Sequence, residues 1–210
     1  MTIVLFGVSR ININMAQRRS YTMTARADAA RATGERILDS AEALFVELPF
    51  AELSLAQIAE RAGVTVQTLI RRFETKEKLV TVVAERVVAR VTAQRSQARP
   101  GDLEDAVDNL IEHYEEVGPL VLRMLAQEHI PTLAEIAEQG RALHRNWVER
   151  TLGPLIKPAT GRDRRATIDQ VAAVTDVYVW KLFRLDWGRS RAETARNLRL
   201  MLARLLAEEP

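Results

Sequence analysis

Apolar residues recur along this chain at a helical period almost from end to end. Ile37, Ala41, Leu44, Phe45 and Leu48 fall at i, i+4, i+7, i+8 and i+11. That spacing predicts one face of a helix beginning near Thr33 or Glu35 and stopped by Pro49. Phe50, in the short connection that follows, is expected to fold back as core. Leu55, Ile58, Ala59 and Ala62 mark a second, short helix, and Leu69 and Phe73 a third. Leu79, Val83, Val87 and Val91 share a stripe on a longer helix opened by Thr75 and reaching about Arg95.

The sequence Arg99-Pro100-Gly101 breaks this pattern and is the best boundary within the chain. Asp102 then caps a helix that turns Leu103, Val107, Leu110, Ile111 and Tyr114 inward, with Gly118-Pro119 as its expected end. Residues 120–127 read as a short apolar helix. A Thr132-x-x-Glu135 capping box opens another, reaching about Leu152, with Leu143, Trp147 and Val148 on its apolar side. Residues 153–163 read as a loop. Residues 168–185 are apolar around more than half of a helical circumference. Ser190-x-x-Glu193 caps a last helix carrying Ala195, Leu198, Met201, Leu202 and Leu205. A helix apolar on two sides is buried on two sides. A second copy of the chain completing a four-helix bundle satisfies this, and so does a monomer with one central helix.

The stretch of residues 53–78, LSLAQIAERAGVTVQTLIRRFETKEK, is the most informative. Ser54 and Gln57 form a capping box of the S-x-x-Q kind. Gly63 stands where a chain leaving a helix takes positive φ, Val64 plugs the turn, and Thr65 is the next N-cap. Helix, short glycine turn, helix is the geometry that lays a second helix into the major groove of DNA. Capped helix pairs also occur in proteins that never touch nucleic acid. The second helix argues for DNA, because Thr65, Gln67, Thr68, Arg71 and Arg72 are hydroxylated, amidic or basic. No acid interrupts residues 65–73.

Across residues 36–79 the text ILDSAEALF, then IAERAGV, then TLIRRFETKEKL resembles the DNA-binding domain of the TetR/AcrR family of transcriptional regulators. The resemblance implies an all-α protein: an N-terminal three-helix helix-turn-helix domain and a C-terminal helical domain that binds ligand and dimerises. It carries a phosphate contact onto Lys76, a lysine that gains nothing from the dipole at its helix N-terminus unless an anion sits there too. This chain departs from the family twice. Ile70 stands where the family usually has a phosphate-contacting Tyr, and Pro49 where it usually has Gly. Arg71 or Arg72 are candidates to replace the missing contact.

Composition narrows the alternatives. The 210 residues, 47% hydrophobic and 28% charged, can bury a core, and the absence of cysteine removes disulfides, thiolate metal sites and thiol redox sensing. The net charge of +2 says little by itself. Its distribution says more: residues 1–95 hold 14 basic and 10 acidic groups, residues 96–210 hold 16 and 18. The apolar opening MTIVLFGV is too short to span a bilayer and lacks a charged n-region, and Met15 and Met23 offer later starts. The expected organisation is a flexible basic arm over residues 1–32, a helix-turn-helix domain over 33–80, and a ligand-binding and dimerisation domain over 81–210. The arm could enter a minor groove, but a solvated tail without a role is the better reading.

No signature of catalysis emerges. His113, His129 and His144 form no H-E-x-x-H, and no G-x-S-x-G or phosphate loop is present. Glu112, His113, Glu115 and Glu116 lie close in sequence, and read better as a solvated face than as a metal site. No cofactor or metal is expected. For a ligand pocket the candidates are His113, Tyr114, Met124, His144, Trp147 and Tyr178, on the helices where the family builds its inducer site. The modest charge there points to an apolar or weakly polar molecule. For DNA, Ser54 or its neighbouring amides, Thr68, Arg72 and Lys76 are assigned to phosphate, and Thr65, Val66, Gln67 and Arg71 to base edges. The chain therefore reads as a cytoplasmic, non-enzymatic, ligand-responsive repressor that binds a palindromic operator as a homodimer. The alternative is a small-molecule-binding protein or enzyme on the same scaffold without sequence-specific DNA binding.

Overall fold

The computed structural model describes residues 9–156 and 163–207, with side chains from residue 26 onward; the opening MTIVLFGV lies outside them. The described residues form α1 (Ser9–Glu47), α2 (Leu55–Ala62), α3 (Val66–Phe73), α4 (Lys76–Arg95), α5 (Leu103–Leu125), α6 (Pro131–Thr151), α7 (Arg164–Val174), α8 (Val177–Lys181) and α9 (Arg191–Leu206). A 3-10 turn, Gly153–Leu155, follows α6, and a π-helical segment, Leu182–Asp186, follows α8.

Helices α1 to α4 close around one core. Ile37, Ala41, Leu44 and Phe45 of α1 meet Ile58, Leu69, Phe73, Leu79 and Val83, with Phe50 folded back among them. Helix α1 begins at Ser9, not near Thr33 or Glu35. Residues 9–32 contain no proline to stop it, and Thr33 serves as an interior residue, its hydroxyl donating to Ala29 O at 2.8 Å. This core does not end at α4: Leu133 of α6 is fully buried in it, and Leu120, Met124 and Ile136 pack against it. Gln127 Oε1 accepts from Phe50 N at 2.7 Å and Arg123 donates to Val46 O at 3.2 Å. The turn between α5 and α6 is thus bonded to the connection that leads into α2.

The C-terminal helices pack around Val107, Leu110, Trp147, Val148, Ile168, Val171, Trp180, Leu198 and Leu202. Here the structure corrects several boundaries. Helix α5 runs through Gly118-Pro119 instead of ending there, so residues 120–127 are not a separate helix. Proline removes one backbone donor, but tertiary packing holds both halves in line: a Cβ on Gly118 would lie 2.6 Å from the Trp180 ring, so the ring rests directly on the helix backbone. Helix α6 starts at Pro131, which needs no donor at that position, and the Thr132 capping box is not used. The apolar run 168–185 is not one helix. Asp176 breaks it by capping α8, accepting from Tyr178 N at 2.9 Å, and Tyr114 Oη donates to the freed Thr175 O at 2.8 Å.

Candidate nucleic-acid interface and ligand cavity

The helix-turn-helix is built from its caps. Ser54 accepts from Gln57 N while Gln57 Oε1 accepts from Ser54 N at 2.8 Å, the reciprocal capping box. Gly63 takes φ 65°, ψ 41°, the left-handed conformation that ends α2. Val64 packs against the core as the plug of the turn. Thr65 caps α3, its hydroxyl accepting from Thr68 N and lying 2.9 Å from Thr68 Oγ1. With Leu69 and Phe73 buried, α3 can only turn its other face outward. That face carries Thr65, Val66, Gln67, Ile70, Arg71 and Arg72, all exposed, with Thr68 half-buried beside them. Among the described residues, Arg71 has no hydrogen bond or ion pair.

The remaining assigned residues divide differently. Arg72 donates to Ala30 O of α1 at 2.9 Å, so its guanidinium is partly committed to the scaffold. Lys76 is half-buried; its Nζ donates to Phe50 O at 2.8 Å and Leu53 O at 2.9 Å and lies 4.2 Å from the centre of the Phe50 ring. A lysine has three N–H donors, so one remains for an anion at the start of α4. The lysine at a helix N-terminus is therefore explained in part by the carbonyls of the loop before α2.

A cavity of about 860 Å³ lies beyond this core, between α4, α5, α6 and the start of α8. All six residues proposed for a ligand from the sequence, His113, Tyr114, Met124, His144, Trp147 and Tyr178, are in its wall. They do not stand alike: Tyr114 is spent on Thr175 O, and Tyr178 is 55% exposed at the rim. Sequence reasoning missed one whole wall, the α4 face with Val83, Val87, Val91 and Arg95. The signal was present, since Arg95 is the next position of the stripe 79, 83, 87, 91. The cavity also reaches Ala41 and Phe45 of α1. Burial, helped by the charge on Arg95, pulls His144 down to about 4 and His113 to about 3. Two acids of α5 are already engaged: Glu115 pairs with Arg184 and accepts from Trp180 Nε1, and Glu116 pairs with Arg90.

Residues 37–83 match the family described as bacterial regulatory proteins, tetR family. This is a TetR-family DNA-binding domain. Its likeness to solved structures extends over both halves of the chain. A transcriptional regulator from Rhodococcus sp. Rha1 superposes with a TM-score of 0.67 at 17% identity, over 82% of this chain and 95% of that one. A TetR/AcrR-type regulator from Aquifex aeolicus VF5 gives 0.63 at 17%, over 82% and 99%. SmeT, solved as a complex with triclosan, gives 0.63 at 21%, over 82% and 90%. At these identities the likeness is one of fold. Comparison with curated protein sequences finds no match. Within the TetR-type domain, Ile70 is 40% exposed on the face of α3 beside Arg71. An aliphatic side chain there presents no donor to a phosphate, so that contact of the family is missing from this chain. Among the described residues, no helix is long and apolar enough to cross a membrane.

Proposed function

We propose that the protein is a cytoplasmic transcriptional repressor that binds a palindromic operator as a homodimer and is released by a small molecule in the α4–α5–α6 cavity. The observation that carries this reading is α4 itself. Its first turn abuts the helix-turn-helix through Lys76, and its last two turns are cavity wall. A molecule in the cavity therefore touches the helix on which the DNA-binding domain sits. Thr65, Val66, Gln67 and Arg71 face base edges; the α2 N-terminus at Ser54, with Thr68, Arg72 and the remaining donor of Lys76, holds phosphate. The two recognition helices of a dimer must sit ~34–36 Å apart to enter successive major grooves. An effector that prefers another spacing lowers operator affinity by its difference in affinity for the two states.

Chemistry plays no part in this reading: the groups in the cavity wall serve binding, and the protein is not an enzyme. The boundary between the two functional parts falls within α4, near residue 80. The test is selection of bound fragments from genomic DNA at two salt concentrations. A recovered palindrome supports the reading. Unrelated fragments lost at the higher salt would leave only phosphate affinity and favour a carrier built on the same scaffold.

A further inference from the structure

The cavity wall holds a cation that none of the described residues neutralises. Arg95 is only 7% exposed, yet among the described residues it forms no ion pair. One of its N–H groups meets an acceptor, His144 Nδ1 at 3.2 Å, and its Nε has none. The guanidinium carbon lies 4.1 Å from the centre of the Trp147 ring, a cation–π contact that holds the group without cancelling its charge. Burial draws it down to about 10, so it stays protonated at neutral pH. Trp147 Nε1 is a second buried donor without an acceptor.

The other charges around the cavity are otherwise engaged. Arg141 pairs with Glu128 and Glu138, and Arg145 with Glu149 and Asp169. Asp176, the one acid in the wall, caps α8. Arg150 donates to Arg95 O at 2.8 Å and adds a second positive charge rather than a counterion. His144 cannot help either. With Nδ1 accepting from Arg95, its proton is on Nε2, facing Ala172 O at 3.2 Å and Thr175 Oγ1 at 3.1 Å. The imidazole is neutral. The rest of the wall is mostly aliphatic and aromatic carbon, with Thr92, Ser96 and Asn146 as uncharged polar groups.

A buried, unpaired charge is costly unless a partner arrives with the ligand. We propose that the effector is an amphipathic organic anion: an apolar body lying against the valines of α4, and a single oxyanion head group received by Arg95. This deepens the ligand-sensing reading above and rests on it. It replaces the weakly polar molecule expected from the sequence with one carrying a full negative charge. An oxyanion on the free edge of the guanidinium would take a charge-assisted bond and leave His144 in place.

The test uses the full-length protein and a neutral apolar fluorophore, N-phenylnaphthylamine, which brightens when bound in an apolar cavity. Decanoate and decanol, equal in chain length, are titrated against it at neutral pH. Decanoate should displace the fluorophore at concentrations at least ~10-fold lower than decanol. Arg95→Met should bring the two within ~3-fold of each other while the fluorophore still binds; Arg95→Lys should retain part of the preference. Equal displacement by both in the wild type would overturn the anion site and leave the cavity as a neutral pocket. A preference that survives in Arg95→Met would remove Arg95 as the receptor. If the fluorophore and both competitors fail to bind at all, the ligand-sensing reading falls, and this inference with it.

Discussion

Single residues here carry more than one duty, and the duties can be separated by measurement. Arg71 is exposed on α3 and unpaired, so its removal costs the fold little. Arg71→Ala should relax sequence preference and weaken the selected operator by ~1–3 kcal/mol, read by competition binding with base-substituted sites. Unchanged specificity would take Arg71 out of base readout. Lys76 holds Phe50 O and Leu53 O as well as facing any phosphate at the start of α4. Lys76→Ala should therefore lower stability by ~1–3 kcal/mol in urea and also flatten the salt dependence of DNA binding by ~1 unit. A stability loss with an unaltered salt slope would make it a structural lysine only. His113 and His144 make stability depend on pH. The unfolded chain protonates them near 6.5, the folded one only near 3 and 4. The unfolded state thus binds more protons in that interval, and stability is lost as pH falls from ~6.5 toward 4, by ~1.4 kcal/mol per pH unit for each histidine. Urea midpoints at pH 7 and 5, compared with His144→Gln, check the slope and its sign.

At the scale of elements, most capped termini were read from the chain, Thr132 being the exception, and interrupted helices were not. Ser54, Thr65, Thr75, Asp102 and Ser190 all cap as expected, because a cap is a contact between residues three apart or fewer. Pro119 was misread and Asp176 passed over because their effect depends on distant partners. Pro119 continues a helix that Trp180 supports from the side; Asp176 breaks a run whose apolar content argues for continuity. The close approach at Gly118 makes the first point testable. Gly118→Ala would force the Trp180 ring off the α5 backbone and should cost ~1–3 kcal/mol by chemical denaturation, although alanine is the better helix former. A stabilised variant would show that the ring has room to yield. The same contact places Trp180 Nε1 on Glu115, which Arg184 also binds, so the break in the apolar run and the unbroken α5 are two sides of one joint.

For the whole molecule, most of the exposed large apolar side chains lie on the last elements. Leu182, Leu185, Trp187, Leu200 and Met201 are exposed, at 53% for Leu185 and Leu200 and 54% for Trp187. An apolar patch of this kind marks an interaction site, and the proposed homodimer is its simplest occupant. Leu185→Glu together with Leu200→Glu should give a folded monomer in sedimentation velocity, with operator affinity reduced at least ~10-fold, since one half-site then binds alone. A variant that stays dimeric would move the interface elsewhere. The other feature of this scale is the shared core. Leu133, Leu120 and Met124 from α5 and α6 close the same core as Phe45 and Val83, and the cavity reaches that core from the opposite side. Cavity wall, α4 and the helix-turn-helix thus share one continuous packing.

Local chemistry was legible in the sequence. Most caps, the glycine turn, the apolar stripes and the basic, acid-free face of α3 depend on residues within a turn or two of each other, so successive helices and a helix-turn-helix could be read from spacing, while the all-α two-domain arrangement came from the family resemblance. The six aromatic, soft and titratable residues of the middle helices could also be named, because the resemblance implies a pocket on those helices and they are the side chains there suited to a ligand. What spacing could not show is which inward side chains find a partner. Arg95 lies on the same stripe as Leu79, Val83, Val87 and Val91, and by position it is simply the last residue of that line. Only the packing of α4 against α5 and α6 leaves a space there instead of a core, puts Trp147 under the guanidinium, and brings no carboxylate within reach. Whether a buried charge is satisfied depends on groups separated by tens of residues, and that is decided by tertiary structure, not by sequence period.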